Sequence, residues 1–206
     1  MAAGDVLLLF DSPGVYAWGV AWDGCRLWHC DHEKDKIYLL DPVDGTVVKS
    51  FDSPGEIPTG LVWDGCRLWH CDYDESKIYL LDPVDGAVVK SFDSPGKTPT
   101  GLAWDGRRLW NCDYDKKTIY LLDSADGTVV KSFRSPGTGP TGLVWDGRRL
   151  WHCDHGEEKI YLLDPVDGTV VKSFDSPGGV ARGLTWDGRH LWNCDYGESE
   201  IYLLEA

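Results

Sequence analysis

The residues best equipped for chemistry in this chain recur at a fixed interval. Asp31, Asp72, Asp113, Asp154 and Asp195 stand 41 residues apart, and each follows a cysteine: Cys30, Cys71, Cys112, Cys153 and Cys194. Histidine precedes the cysteine at His29, His70 and His152, and asparagine replaces it at Asn111 and Asn193. A zinc site needs about four ligands converging on one point. Neighbours on an extended strand point to opposite faces, so His70 and Cys71 do not readily share a metal. A hydrogen-bonded histidine or asparagine between neighbouring sheets accounts better for the alternation. The five aspartates allow two readings. Arranged on a circle they could face a central channel and hold a cation such as Ca²⁺, which takes six to eight oxygens. Alternatively each caps its own loop by accepting backbone N–H bonds. The Asp-x-x-Asp-Gly runs, such as Asp82 to Gly86, read as turns and are weak evidence for calcium. No nucleophile–base pair, nucleotide-binding loop or Gly-x-Ser-x-Gly occurs, and no pair of carboxylates is singled out for hydrolysis.

A second set of candidates appears where the repetition fails. Three repeats carry Pro-Thr-Gly at one phase, at Pro58-Thr59-Gly60, Pro99-Thr100-Gly101 and Pro140-Thr141-Gly142. The first repeat has Tyr16-Ala17-Trp18-Gly19 there, and the last has Ala181-Arg182-Gly183. An aromatic ring beside a guanidinium could grip a flat or anionic group. The competing reading is drift, or adjustment where two ends meet. Tyr16, Trp18 and Arg182 are therefore the predicted ligand-binding residues, provided the fold brings the first and last repeats together.

The elements that must position them follow from the period. Trp22, Trp63, Trp104, Trp145 and Trp186 form one series, Trp28, Trp69, Trp110, Trp151 and Trp192 a second, and Phe10, Phe51, Phe92, Phe133 and Phe174 a third, all in steps of 41 without insertion or deletion. Each repeat holds four short extended segments rich in β-branched and aromatic residues, with no helix-length window free of Gly or Pro. In the second repeat these are Gly60 to Trp63, Arg67 to Tyr73, Lys77 to Asp82 and Val88 to Asp93. Asp64-Gly65 suits a two-residue hairpin turn, which would set Gly60 opposite Trp69. Pro83-Val84-Asp85-Gly86 fits a type I turn closed by glycine. Trp63, Leu61 and Leu68 should share one face, and Trp69, Cys71, Val62 and Gly60 the other. Lys90 on the outermost segment reads as a guard against edge pairing.

Four antiparallel strands per repeat of about 40 residues is the arithmetic of a propeller blade. The last repeat stops after its third strand, Ile201 to Leu204, and Gly4 to Phe10 aligns with the missing fourth. The expected fold is thus an all-β, five-bladed propeller over residues 1–206, with strand 4–10 completing the blade of 183–204. An open solenoid would leave both end repeats uncovered. Ring closure makes the first and last blades neighbours, placing Trp18 beside Arg182 at the mouth formed by the loops that connect blades. The two repeated tryptophans of each blade, burying ~200 Å² apiece at ~25 cal/mol/Å², contribute roughly 10 kcal/mol gross per blade, an upper bound, and read most simply as core.

Composition narrows the partners. With 34 acidic against 20 basic residues the net charge is −14, which repels phosphate backbones and anionic lipid. Nucleic acid and membrane are therefore not expected as partners, while a small molecule, a sugar or a peptide is compatible, as are cations. Symmetry holds the five repeated cysteines on different sheets about 10 Å or more apart, beyond the roughly 7 Å that a disulfide spans between Cα atoms. Cys25 and Cys66 occupy turns where Arg107, Arg148 and Arg189 stand in other blades. Unpaired thiols point to a reducing, cytoplasmic setting, and the chain is expected to be a monomer. The apolar run Val6 to Phe10 is too short for a signal peptide and lacks a basic flank.

The motif Gly-Leu-x-Trp-Asp-Gly-x-x-Leu-Trp, followed by Ile-Tyr-Leu-Leu-Asp-Pro-x-Asp-Gly, resembles the repeat-type β-propellers of the glutamine cyclotransferase and YVTN-repeat groups across all five repeats. The resemblance implies a five-bladed ring. It also implies, as one possible activity, cyclisation of N-terminal glutamine to pyroglutamate. Tachylectin-like lectins are five-bladed too and bind one sugar per blade, although their motif differs. The cyclotransferase blades are irregular where these are nearly identical, and no catalytic acid transfers residue by residue. The leading expectation is a non-enzymatic binding or scaffold module without an obligatory cofactor. An enzyme resembling glutamine cyclotransferase, or a multivalent sugar binder, is the alternative.

Overall fold

The computed structural model describes all 206 residues, which form twenty strands and no helix. They build five separate four-stranded antiparallel sheets. In the second blade the strands run, from axis to rim, Pro58–Trp63, Leu68–Asp72, Lys77–Leu81 and Val88–Asp93. The innermost strand of each blade contacts that of the next, and Ala181–Trp186 of the fifth blade contacts Ala17–Trp22 of the first, so the ring is closed. Closure uses the N-terminus. Strand Val6–Asp11 pairs antiparallel with Glu200–Leu204, with Phe10 opposite Ile201 and a bulge between Val6 and Leu8. The chain is a five-bladed β-propeller.

The face assignments hold, but one register does not. Gly60 lies opposite Cys71, and Trp69 opposite Val62. The turn is centred one residue later than Asp64-Gly65. Asp64 Oδ1 accepts the N–H groups of both Cys66 and Arg67, and Asp64 N–H closes the turn on the Arg67 carbonyl. This moves the positive φ of Gly65 to the centre of the hairpin and shifts the pairing by two residues, which leaves every side chain on its original face. What demands glycine at position 60 is therefore not an indole. A Cβ there would stand 2.7 Å from Cys71 Sγ and 2.9 Å from the Thr100 carbonyl of the next blade.

Each inter-blade core pairs one face of a blade with the opposite face of its neighbour. Trp28, Cys30 and Ile37 of the first blade pack on Leu61, Leu68 and Tyr79 of the second, and the indoles of Trp28 and Trp63 stack at 6.4 Å and 10°. The same pairing recurs for Trp69 on Trp104 and for Trp192 on Trp22. Both tryptophan series are thus structural. The rim lysines do more than guard an edge. Lys90 Nζ lies 4.9 Å from the centre of the Trp69 ring and donates to the Ser124 carbonyl of the next blade, and Lys49 and Lys131 repeat the arrangement.

All seven cysteines are free, five of them buried, with Cys25 and Cys66 exposed. Burial pushes the Cys71 and Cys153 thiols up to about 12. Neither exposed thiol is activated, because the neighbouring carboxylates Asp23 and Asp64 raise both. A thiol reagent added to the native protein at neutral pH should label two sites slowly, Cys25 and Cys66, and the remaining five only after denaturation. Native labelling of Cys71 or Cys153 as fast as Cys66 would contradict this packing.

Candidate functional site

The five repeated aspartates are loop anchors. Asp31 accepts the N–H of Tyr16 at 3.0 Å on one oxygen and that of Lys34 at 2.9 Å on the other. Asp72 holds Ile57 and Glu75 in the same way, Asp113 holds Thr98 and Lys116, and Asp195 holds Val180 and Glu198. Asp154 accepts from Gly139 and Glu157. Each carboxylate thereby ties the loop entering its blade to the loop leaving its second strand. All five are buried, and no three His, Cys, Asp or Glu side chains converge as a metal site would require. The axis below the mouth, lined by Gly19, Gly60, Gly101, Gly142 and Gly183, leaves a cavity of only about 10 Å³, about one probe sphere of water. These bonds and the narrow axis favour the loop-cap reading of Asp31, Asp72, Asp113, Asp154 and Asp195 over that of a cation in the channel.

The histidines are anchors of a second kind. His29 places Nδ1 3.0 Å from the Gly19 carbonyl and Nε2 2.9 Å from Ser12 Oγ, and His152 repeats both bonds with Gly142 and Ser135. Asn111 and Asn193 make the equivalent bond to Gly101 and Gly183 through Nδ2, at 3.1 and 2.8 Å. Desolvation drives the imidazoles of His29 and His70 down to about 4, so both are neutral at pH 7 and an amide can stand in for them.

The symmetry-breaking residues do meet. In the regular blades a threonine stitches one innermost strand to the next: Thr59 Oγ1 donates to the Pro99 carbonyl, Thr100 to Pro140 and Thr141 to Ala181, at 2.8–2.9 Å. Trp18 and Arg182 replace that stitch. The Arg182 guanidinium lies 4.4 Å from the centre of the Trp18 ring and 5.3 Å from that of Tyr196. Tyr16 stacks on Tyr196 at 4.7 Å and 14°, with His32 on its other flank at 5.6 Å. Trp18 meets Tyr196 edge-on at 5.6 Å. A cavity of about 230 Å³ opens here, walled by Trp18, Tyr73, Thr100, Tyr114 and Arg182, residues from four of the five blades.

Sequence reading missed half of this site. His32, Tyr73, Tyr114, His155 and Tyr196 each follow the repeated aspartate and form a collar of rings about the mouth, one per blade. The signal was an aromatic or imidazole ring at a single phase of the repeat, next to residues already singled out. Within the collar, Tyr114 Oη and His155 Nε2 are 3.0 Å apart. Desolvation first, then the nearby Arg182 charge, lower the His155 imidazole below its usual range.

A five-bladed β-propeller with one asymmetric mouth is what fold and site define. Among solved structures, the glutaminyl cyclase of Myxococcus xanthus superposes with a TM-score of 0.83 over 98% of this chain and 95% of that one, at 13% identity. The virginiamycin B lyase of Staphylococcus aureus gives 0.58 at 18% identity, and a streptogramin B lyase 0.57 at 19%. This chain matches 66% and 64% of the length of those lyases. At such identities the likeness is one of fold. Compared with protein-family profiles and with curated protein sequences, the chain matches none.

Proposed function

We propose that this propeller is a binding module with a single small-molecule site at the mouth built by Trp18 and Arg182, rather than five equivalent sites. The observation that carries the reading is an open cavity of about 230 Å³ whose walls include both residues that break the threonine stitch, Trp18 and Arg182. Its walls are three aromatic rings, a threonine and one guanidinium, the composition of a recognition pocket: apolar surface with few convergent polar groups. A sugar could stack on the same rings, but a one-per-blade lectin mode needs five equivalent cavities, and the walls of this one are unlike residues drawn from four blades. A cyclase-like enzyme is the second reading, favoured by the Tyr114–His155 pair beside Arg182. The walls include no free carboxylate to serve as a catalytic acid, which supports binding over turnover. No helix of the chain is long and apolar enough to cross a membrane, and seven free thiols support a reducing compartment such as the cytoplasm.

The test is a fragment screen read by the indole N–H resonances, with that of Trp18 assigned by substitution. Hits should move the Trp18 signal at one-to-one stoichiometry. The Trp18→Thr, Arg182→Thr variant, which restores the stitch, should lose binding and keep its melting temperature. Equal affinity of parent and double variant for such hits would sink the reading.

A further inference from the structure

Resting on that reading of the mouth, we infer that its ligand is a monoanion: a carboxylate carried on a small planar body. The guanidinium of Arg182 has no acidic partner, and every ion pair in the protein lies elsewhere. Its Nε is buried and without a hydrogen-bond partner, as is Nε1 of Trp18 beside it. A half-buried cation whose only partners are the Trp18 and Tyr196 ring faces still lacks an anion, and in a chain of net charge −14 a carboxylate neighbour would be easy to supply. The carboxylates nearest in the repeat are already spent. Asp113, Asp154 and Asp195 each hold two backbone N–H groups and are fully buried. Asp115 is exposed, with its N–H bound to Thr98, and its charge is felt at Tyr73 on the cavity wall, but it forms no ion pair with Arg182. The charge at the mouth is therefore held available.

The geometry selects the kind of anion. The guanidinium lies over the Trp18 ring, 4.4 Å from its centre, and a guanidinium edge matches a planar carboxylate with two parallel N–H bonds. Tyr73 and Tyr114 line the same cavity, the Tyr114 hydroxyl being paired with His155. A dianion such as a phosphate monoester meets twice the repulsion from the acidic surface, whereas a monoanion meets it once. Room is limited. About 230 Å³ is close to eight water volumes of ~30 Å³ and falls below the ~300 Å³ at which drug-sized sites begin. A single ring fits between the Trp18, Tyr73 and Tyr114 walls.

Benzoate, benzamide and benzylamine share one shape and carry charges of −1, 0 and +1, so they test the inference on the unmodified protein. Titration at low ionic strength, followed by the Trp18 indole resonance, should show benzoate binding at least tenfold more tightly than benzamide, the factor expected for a charge-assisted against a neutral hydrogen bond. Benzylamine should not bind, phenyl phosphate should be weaker than benzoate, and added salt should weaken benzoate binding. Arg182→Gln should remove the preference for benzoate over benzamide while the melting temperature is retained. Benzamide matching benzoate at this site would overturn the anion assignment and leave the binding site standing. Benzoate leaving the Trp18 resonance unmoved also overturns it. If in addition no fragment of any charge moves that resonance, the binding site itself falls.

Discussion

A chain lacking residues 1–11 is expected to lose its cooperative melting transition or aggregate at micromolar concentration. Those residues form the only strand that reaches the fifth blade from the far end of the chain, and the bonds it makes to Glu200–Leu204 hold the ring shut. Phe10 packs on Trp192 at 6.1 Å and belongs to the core between the fifth and first blades. Losing that ring alone costs about 3–5 kcal/mol, against a total stability on the order of 5–15 kcal/mol for a domain of ordinary size. The deletion also strips strand Glu200–Leu204 of its partner, leaving a flat apolar edge that invites pairing between chains. A permutant separates loss of the strand from loss of sequence as such. Residues 6–11 are moved behind Leu204 through a copy of Asp41-Pro42-Val43-Asp44-Gly45-Thr46, the turn that joins the same two strands in the first blade. It should melt at or above the parent temperature, since closure is then covalent. The clasp assignment fails if the truncated chain stays monomeric with the parent's melting temperature.

The architecture was legible because the repeat is so regular: an unbroken 41-residue step, four β-rich segments and complementary ends leave little choice of fold. Details that depend on local side-chain bonds were less legible. Asp-Gly is a common hairpin dipeptide, yet here the aspartate carboxylate recruits two further N–H groups and moves the turn by one residue. The repeated aspartates could be read as cation ligands or as caps, because position on a circle says nothing of direction. Only the loop backbone, folded back onto Asp31 and Asp72, favours the caps. At the mouth, adjacency of Trp18 and Arg182 followed from ring closure. The collar of Tyr73, Tyr114 and Tyr196 did not, because a residue shared by every blade looks structural until the asymmetric pair stands within it.

Stability should fall as the pH drops from about 6.5 toward 4, and most of that fall should vanish when His29, His70 and His152 are changed to asparagine. His29 and His70 are held down to about 4 by burial, and His152 is lowered for the same reason. An unfolded histidine titrates near 6.5, so between the two values the unfolded chain binds protons that the folded chain refuses. Stability is then fully present above the unfolded value and is lost as the pH falls through the window to the folded one. Each of the two deeply shifted imidazoles contributes on the order of 3 kcal/mol over that window. Protonation would place a charge in a desolvated site whose hydrogen-bond partners are a glycine carbonyl and a serine hydroxyl, and the Asp31 and Asp154 carboxylates near His29 and His152 offset only part of that cost. Reduced self-repulsion pulls the other way as the surplus of acidic groups is neutralised, so the parent's total change is a difference of opposing terms. The informative quantity is therefore the slope of unfolding free energy against pH, compared between parent and triple variant by urea denaturation at intervals from pH 4.5 to 7. Asparagine fits, since Asn111 and Asn193 already make the equivalent bond, although losing the stacks of His29 on Tyr38 and His152 on Tyr161 lowers the plateau somewhat. Parallel slopes in parent and variant would show that the buried imidazoles are not what makes the ring acid-sensitive.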